Sequence, residues 1–400
     1  MHNTSVSLRR LNLLYTLVQV MYWAAFATFS GFQTALLLSR GFSSSQAGML
    51  AAARCLSGIL SQPAIGGWVD RHPKAGLRRV LLVCLSLALA VNLLFYTTRP
   101  GFFGTALILL ALGVVDLNLY PLLDSLAVQF INAGVEVNYS FSRGVGSFAY
   151  ALACVLLGSL SAARGVEVVL VLHILFLAGL MAAVWAYPAP PTALTARKRE
   201  DTHSLGELLR GNPAFARMLA AVFFAVAAVM PVVSFLVNIV ESRGGSETHL
   251  GVALFLMGAS ELPAALIFPR LWRRLGSRNM MLLSVVFMAA KPLVFLLTPS
   301  LPALLGVQLI QMGGYGLFTP ASVYYANESV PAADRVRGQT VMMMASNGLG
   351  NMAGNLVAGF VVDWGGVNAM LVFCTILGAA GVLFALWAVR TGRKGAPVLL

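Results

Sequence analysis

Apolar residues run through this chain in long blocks, interrupted by short clusters of Gly, Pro, Asn, Ser and charged residues. Blocks of this length predict membrane-spanning helices, because about 20 residues at 1.5 Å each cross a hydrocarbon layer about 30 Å thick. Read block by block, the chain gives twelve spans, at about 10–38, 43–69, 78–97, 101–131, 138–163, 166–187, 215–241, 249–272, 279–299, 302–329, 336–362 and 367–390. The expected fold class is therefore an all-α integral membrane protein. The first span is too long, and too closely followed by a second, for a cleaved signal peptide, and is expected to stay in the mature protein. One long polar interruption, "YPAPPTALTARKREDTHSLGELLRGNPAFAR" at 187–217, divides the spans six and six. It sets the expected organisation: an N-terminal six-helix bundle over 1–188, a cytoplasmic linker over 189–214 and a C-terminal six-helix bundle over 215–400. Within the linker, "SLGELLRG" predicts a short surface helix capped by Ser204, with Glu207 three residues on as in a capping box.

Composition rules out a soluble globular domain: 58% of the 400 residues are hydrophobic and 10% are charged. The net charge of +13 raises the question of a polyanionic partner, which its distribution answers. Twenty of the 27 Lys and Arg fall at the termini and at alternate loops, and only Arg40, Arg99, Arg164 and Arg243 fall on the other side. That asymmetry is the positive-inside rule with both termini cytoplasmic, and it requires no nucleic acid. Cys55, Cys84, Cys154 and Cys374 stand singly in apolar runs, so no metal, redox site or cofactor is expected. A bacterial inner-membrane, multi-pass protein, monomeric and solvated by lipid, is the expectation.

Three basic residues remain, Arg54, Arg143 and Lys291, and they lie inside spans together with three acids, Asp116, Asp124 and Glu261. A charge at the bilayer centre costs at least about 2.5 kcal/mol, so such groups should pair or face water. Antiparallel helices joined by a short turn run past each other residue for residue. The midpoint of Asp124 and Arg143 falls on the "NAG" turn at 132–134, and that of Glu261 and Lys291 falls on Gly276, which sets each pair level. Asp116 and Arg54 each lie 15 residues before the expected end of their span, roughly 22 Å in. Asp116 and Asp124 share one broad helix face with Tyr120, and Pro121 lies between them. His173 reads as a packed or interfacial histidine.

The two halves echo each other. "SQPAIGGWVDRHPKAGLRR" at 61–79 aligns with "ELPAALIFPRLWRRLGSRN" at 261–279, with Pro63 over Pro263 and Gly76 over Gly276. The first copy resembles the loop between the second and third helices of the major facilitator superfamily, on Gly67, Asp70, Arg71, Gly76, Arg78 and Arg79, with two extra residues between Arg71 and Gly76. The resemblance implies twelve transmembrane helices in two six-helix bundles around a central cavity. It also implies that these six residues govern conformational switching and not substrate choice.

"PLLDSLAVQFINAGVEVNYSFSRGVGSFAYALACVLLG" resembles the fourth and fifth helices of the oligosaccharide:proton symporter branch, the lactose permease group. By that resemblance Asp124 and Arg143 bind solute hydroxyls, Tyr150 stacks on a ring and Glu261 matches an acid of sugar recognition. Tyr120, on the face of the two aspartates, and Gln311, a neutral polar group in a span near the expected cavity, are further candidate substrate contacts. Lys291 falls where the branch's ninth helix has Arg. Where the branch carries His and Glu on its tenth helix, "LIQMGGYGLF" offers Gln311 and Gly314, and on the eleventh Asn347 stands near its Lys. Proton coupling would then fall to Asp116, Asp124 or Glu261, with Arg54 and Lys291 as charge partners. The expected function is secondary active transport of a small polar solute, a sugar or similar hydroxylated or aromatic compound, in symport with protons. The alternatives are proton-coupled efflux of amphipathic compounds and a non-transporting sensor. No enzymatic constellation is present in the sequence.

Overall fold

The computed structural model describes residues 7–72, 76–188, 204–331 and 334–392, and among these there is no strand. The helices are α1 (Leu8–Ser39), α2 (Ser44–Arg71), α3 (Leu77–Thr98), α4 (Phe102–Asn132), α5 (Tyr139–Arg164), α6 (Val168–Ala186), α7 (Leu205–Gly211), α8 (Pro213–Ser234), α9 (Leu236–Glu241), α10 (Glu247–Leu297), α11 (Leu301–Val307), α12 (Tyr315–Ser329), α13 (Arg335–Met343) and α14 (Asn351–Gly392). Among the described residues, nine helical stretches are long and apolar enough to cross a membrane. Two of these are double: α10 breaks at Gly276 (φ 74°) and α14 at Gly366 (φ 73°), both in the left-handed region. With α2, which is 28 residues long but carries Arg54 and two charges at its end, the arrangement is consistent with twelve spans. An all-helical solution meets what hydrocarbon demands, since each helix satisfies its backbone N–H and C=O groups within its own segment.

Large apolar side chains point outward along the bundles, among them Leu60, Phe103, Leu266, Leu297 and Trp364. Water would penalise such a surface and lipid does not. The predicted linker helix is α7, with both hydrogen bonds of the Ser204–Glu207 capping box in place. Residues 189–203 of the linker lie outside the described residues.

Contacts divide the chain into two units, one comprising Met1–Phe42 with Ala53–Arg197, the other Ser43–Ala52 with Lys198–Leu400. In the first unit α1 packs on α5 and α6, and α3 on α4 and α6. Its core includes Tyr15, Val18, Leu81, Leu119, Leu126 and Leu180. At one end Arg40 makes a bidentate bond to Glu167, 2.8 Å at each contact, and Arg99 approaches the same carboxylate at 3.6 Å. This joins the connections after α1, α3 and α5. The Arg40 hydrogen bonds, outside the spans, hold the Glu167 carboxyl below its ordinary 4.5.

In the second unit α8 lies along α14, and α10 packs on α12 and α14, around a core that includes Met218, Val222, Met288, Phe318 and Tyr325. Ser43–Ala52, placed by sequence in the N-terminal half, groups here because the first turn of α2 is tied to α14. The Asp363 carboxylate accepts from the backbone N–H groups of Ser44 (2.9 Å) and Ser45 (2.7 Å).

Candidate functional site

Helix α4 carries both intramembrane aspartates, with Pro121 inside the helix between them. A proline removes the N–H that would bond the carbonyl four residues back, here that of Leu117. Gln62 of α2 supplies the missing donor, with Nε2 3.1 Å from Leu117 O. Asn118 continues the seam through Ser61 Oγ at 2.8 Å. One turn before Asp116, Gly113 lies against Arg54 O and Ser57 Oγ, so closely that a Cβ there would collide with both. That approach brings Arg54 Nη2 to 3.4 Å from Asp116 Oδ2, the pair expected from matched depth. Arg54 also donates to Gln33 Oε1 at 3.3 Å.

A second cluster forms around α1, whose Gln19, Tyr22, Trp23 and Phe26 fall on one face at helical spacing. Gln19 joins three groups: Nε2 donates to Tyr15 Oη (2.8 Å) and to Asp124 Oδ1 (3.4 Å), and Oε1 accepts from Trp23 Nε1 (3.0 Å). Gly146 of α5 sits where a Cβ would lie 2.6 Å from the Trp23 ring, so α5 approaches α1 closely enough to carry Arg143, one turn earlier, across that ring. The Arg143 guanidinium lies 3.8 Å over Trp23 and 5.9 Å from the Tyr120 centroid, and Nη1 donates to Ser147 Oγ at 2.8 Å.

The level pair Asp124–Arg143 is therefore not a closed ion pair. Equal depth fixed only height, while the Trp23 face and Ser147 hold the guanidinium away from the carboxylate, which takes Gln19 instead. Tyr120 and Tyr139 face the same carboxylate. Tyr120 stacks on Tyr22 at 5.9 Å, and Tyr150 meets Trp23, Phe26 and the Ser30 hydroxyl. Asp124, Arg143, Tyr120 and Tyr150 are thus brought together, each partly exposed. The set combines a carboxylate acceptor, a planar fork donor and several aromatic faces, the chemistry that grips hydroxyls and stacks on a ring.

In the second unit the expected pair Glu261 and Lys291 is joined through a third predicted residue. Lys291, 1% exposed, donates from Nζ to Gln311 Oε1 at 2.8 Å, and Gln311 Nε2 donates to Glu261 Oε1 at 3.2 Å. Gln311 reaches both because the chain there is not a continuous helix: a 3-10 turn, Gln308–Met312, runs into Gly313 and Gly314 before α12 starts. A π-helical turn, Met344–Gly350, places Asn347 Oδ1 2.9 Å from Tyr315 Oη. Such irregular turns re-aim side chains and recur at functional positions.

The loop residues of the first repeat lie apart from these clusters. Arg71 Nε bonds back to Gly67 O at 2.9 Å, Gly76 turns the chain into α3 at φ 75°, and Arg78 donates to Tyr187 O at 3.0 Å, anchoring α3 to the end of α6. Arg79 starts α3 through its backbone bond to Gly76. The Asp70 side chain and residues 73–75 lie outside the described residues. All four cysteines are free thiols. Among the described residues no group of three or more His, Cys, Asp and Glu is arranged to hold a metal.

Residues 10–374 match the family model described as MFS_1 like family. The maltose permease of Geobacillus stearothermophilus is 28% identical over 344 residues, spanning 84% of this chain and 83% of that protein. In fold, the chain is similar to a single-residue variant of the nucleoside transporter NupG, with a TM-score of 0.80 at 17% identity, covering 94% and 99% of the two chains. It is also similar to a bacterial homologue of the human lysosomal transporter Spinster in an inward-facing conformation, with a TM-score of 0.74 at 15% identity, covering 99% and 100%. A family match over nine-tenths of its length, with a matching all-helical fold, makes this chain a member of the MFS_1 like family of major facilitator transporters.

Proposed function

We propose that the protein is a secondary transporter that moves a small hydroxylated solute, a sugar in the first instance, by alternating access in symport with protons. The observation that carries this reading is the α1–α4–α5 cluster. Asp124 and Arg143 are held apart by separate partners, Gln19 and Trp23, so both remain open to a ligand's hydroxyls beside Tyr120 and Tyr150. Similarity to a maltose permease over most of both chains supports the sugar class. Glu261 and Gln311 are the corresponding solute contacts of the second unit, with Lys291 as charge partner.

The reading includes two six-helix bundles joined by the 189–214 linker, with the loop of Gly67, Asp70, Arg71, Gly76, Arg78 and Arg79 governing the switch between states. It takes the protein to be a monomer of a bacterial inner membrane, with the termini on the cytoplasmic side, an orientation that the basic loops support. The direct test is a thermal-shift screen of purified protein over saccharides, nucleosides, dipeptides and amphipathic cations. A ligand that binds the native state raises the melting temperature with its concentration. Stabilisation by a saccharide, lost in Arg143→Ala, is expected. Stabilisation confined to another class, or by none, overturns the sugar reading.

A further inference from the structure

The first unit holds a titratable side chain that the solute cluster does not use. His173 on α6 is 3% exposed, and its Nδ1 lies 2.6 Å from Thr28 Oγ1 and 3.1 Å from Ala25 O. Ala25 O can only accept, and it also takes the Thr28 hydroxyl at 2.6 Å, so the Nδ1–H tautomer is the one that gives every contact here a donor. A neutral imidazole with its hydrogen on Nδ1 leaves a lone pair on Nε2. That nitrogen makes no hydrogen bond to any protein group and stands 3.9 Å from Asp116 Oδ2. Asp116 Oδ1 likewise accepts nothing, and Arg54 Nε donates to nothing.

Two acceptors therefore face each other with one proton too few between them. A cavity of about 20 Å³, lined by Tyr22, Phe29, Arg54, Asp116 and His173, adjoins the gap. This is room for one water or for a turn of the carboxylate. The other charged and titratable groups that face the site are Arg54 and Cys55 on α2 and Tyr22 on α1, with Arg143 beyond Tyr22. The edge of the His173 ring meets Phe29, which also lies 4.7 Å beneath the Arg54 guanidinium, so the three polar groups share one apolar wall.

We infer that Asp116 and His173 Nε2 together bind a single transported proton, with Arg54 as the counter-charge that responds to it. The balance is simple: Arg54 and Asp116 sum to zero without the proton, and the trio carries one positive charge with it. The proton turns two opposed lone pairs into one O–H···N or N–H···O bond. It also weakens the hold of Asp116 on Arg54, leaving the guanidinium to Gln33 and the Phe29 ring and removing one of the polar ties between α2 and α4. This inference rests on the proton-coupled reading above and assigns the proton to α4 and α6, away from the solute cluster.

The test is spectroscopic and needs no transported solute. The full chain, with ring-¹⁵N histidine, is followed by NMR and infrared absorption across a pH titration, and His173 is assigned among the five histidines by difference with His173→Phe. At high pH His173 should show the Nδ1–H tautomer. As the pH falls, its Nε2 shift and a carboxyl C=O band absent from Asp116→Asn should move with one common midpoint. In His173→Phe that band's midpoint should shift by about one pH unit toward acid, because the acceptor for the protonated carboxyl is gone. An Nε2–H tautomer in the wild type overturns the inference whether or not the variants fold, as does an unmoved midpoint in His173→Phe. A protein that accumulates no solute under a pH gradient refutes the transport reading without touching these spectra, so the two failures are distinguishable.

Discussion

Removing the charge of Glu261 tests the relay in the second unit, because Lys291 then keeps a buried ammonium with one neutral acceptor. Through Gln311, with contacts of 2.8 and 3.2 Å, the carboxylate and ammonium are separated by a single amide. The two contacts and the amide between them put the charges at most about 8 Å apart, where an effective dielectric of about 20 gives an attraction of at least about 2 kcal/mol. Glu261→Gln should therefore destabilise the protein by about 2 kcal/mol. Lys291→Met loses the same attraction and leaves Gln311 Oε1, on a residue 4% exposed, without its donor, a further cost of about 1–3 kcal/mol. Against that it removes the desolvation burden of a buried ammonium. In the double variant the attraction is lost once and not twice, so its damage should fall short of the sum of the singles by about 2 kcal/mol. The assay is reversible unfolding in mixed micelles for wild type, both singles and the double. Additivity within about 0.5 kcal/mol would refute the coupling.

Four further outcomes follow from the first unit and are checked separately. Arg143→Lys keeps the charge but loses the planar stack on Trp23, which should weaken solute binding by about 2- to 30-fold in a titration. Gly113→Ala drives a methyl into Arg54 O and Ser57 Oγ and should cost about 1–3 kcal/mol by the same unfolding assay. Gly144→Ala, with open space at its Cβ, should be neutral or stabilising. Glu167→Gln should lower the melting temperature at neutral pH. The folded Glu167 carboxyl is depressed, so its contribution is complete above the ordinary 4.5 and is lost as the pH falls below that value. A wild-type advantage that grows on acidification would contradict the Arg40 pairing.

The spans and the capped linker helix were legible because periodic apolar blocks and a Ser–Glu spacing are local signals. Matched depth was legible too: it brought Arg54 to Asp116 and set Glu261 level with Lys291. Azimuth was not, because counting residues from a turn gives height and says nothing about which way a side chain points. Arg143 accordingly lies on Trp23 of α1, a helix distant in sequence, and not on Asp124. Gln311 was expected to touch solute, and its bridging position depends on the break at Gly313 and Gly314, which reads as ordinary helix packing in an apolar run. Gln19, Tyr22, Trp23 and Phe26 were missed, although their spacing of three, four and seven along an apolar stretch is a signal that would have found them. The Gln62 bond to Leu117 O was likewise available from the rule that Pro121 must orphan that carbonyl.

Uptake of radiolabelled maltose into proteoliposomes under an imposed inside-alkaline pH gradient tests the central claim most directly, with Arg143→Ala reconstituted alongside. The account predicts accumulation by the wild type that a protonophore collapses, and none by the variant at equal insertion. Accumulation by Arg143→Ala at the wild-type rate would contradict it.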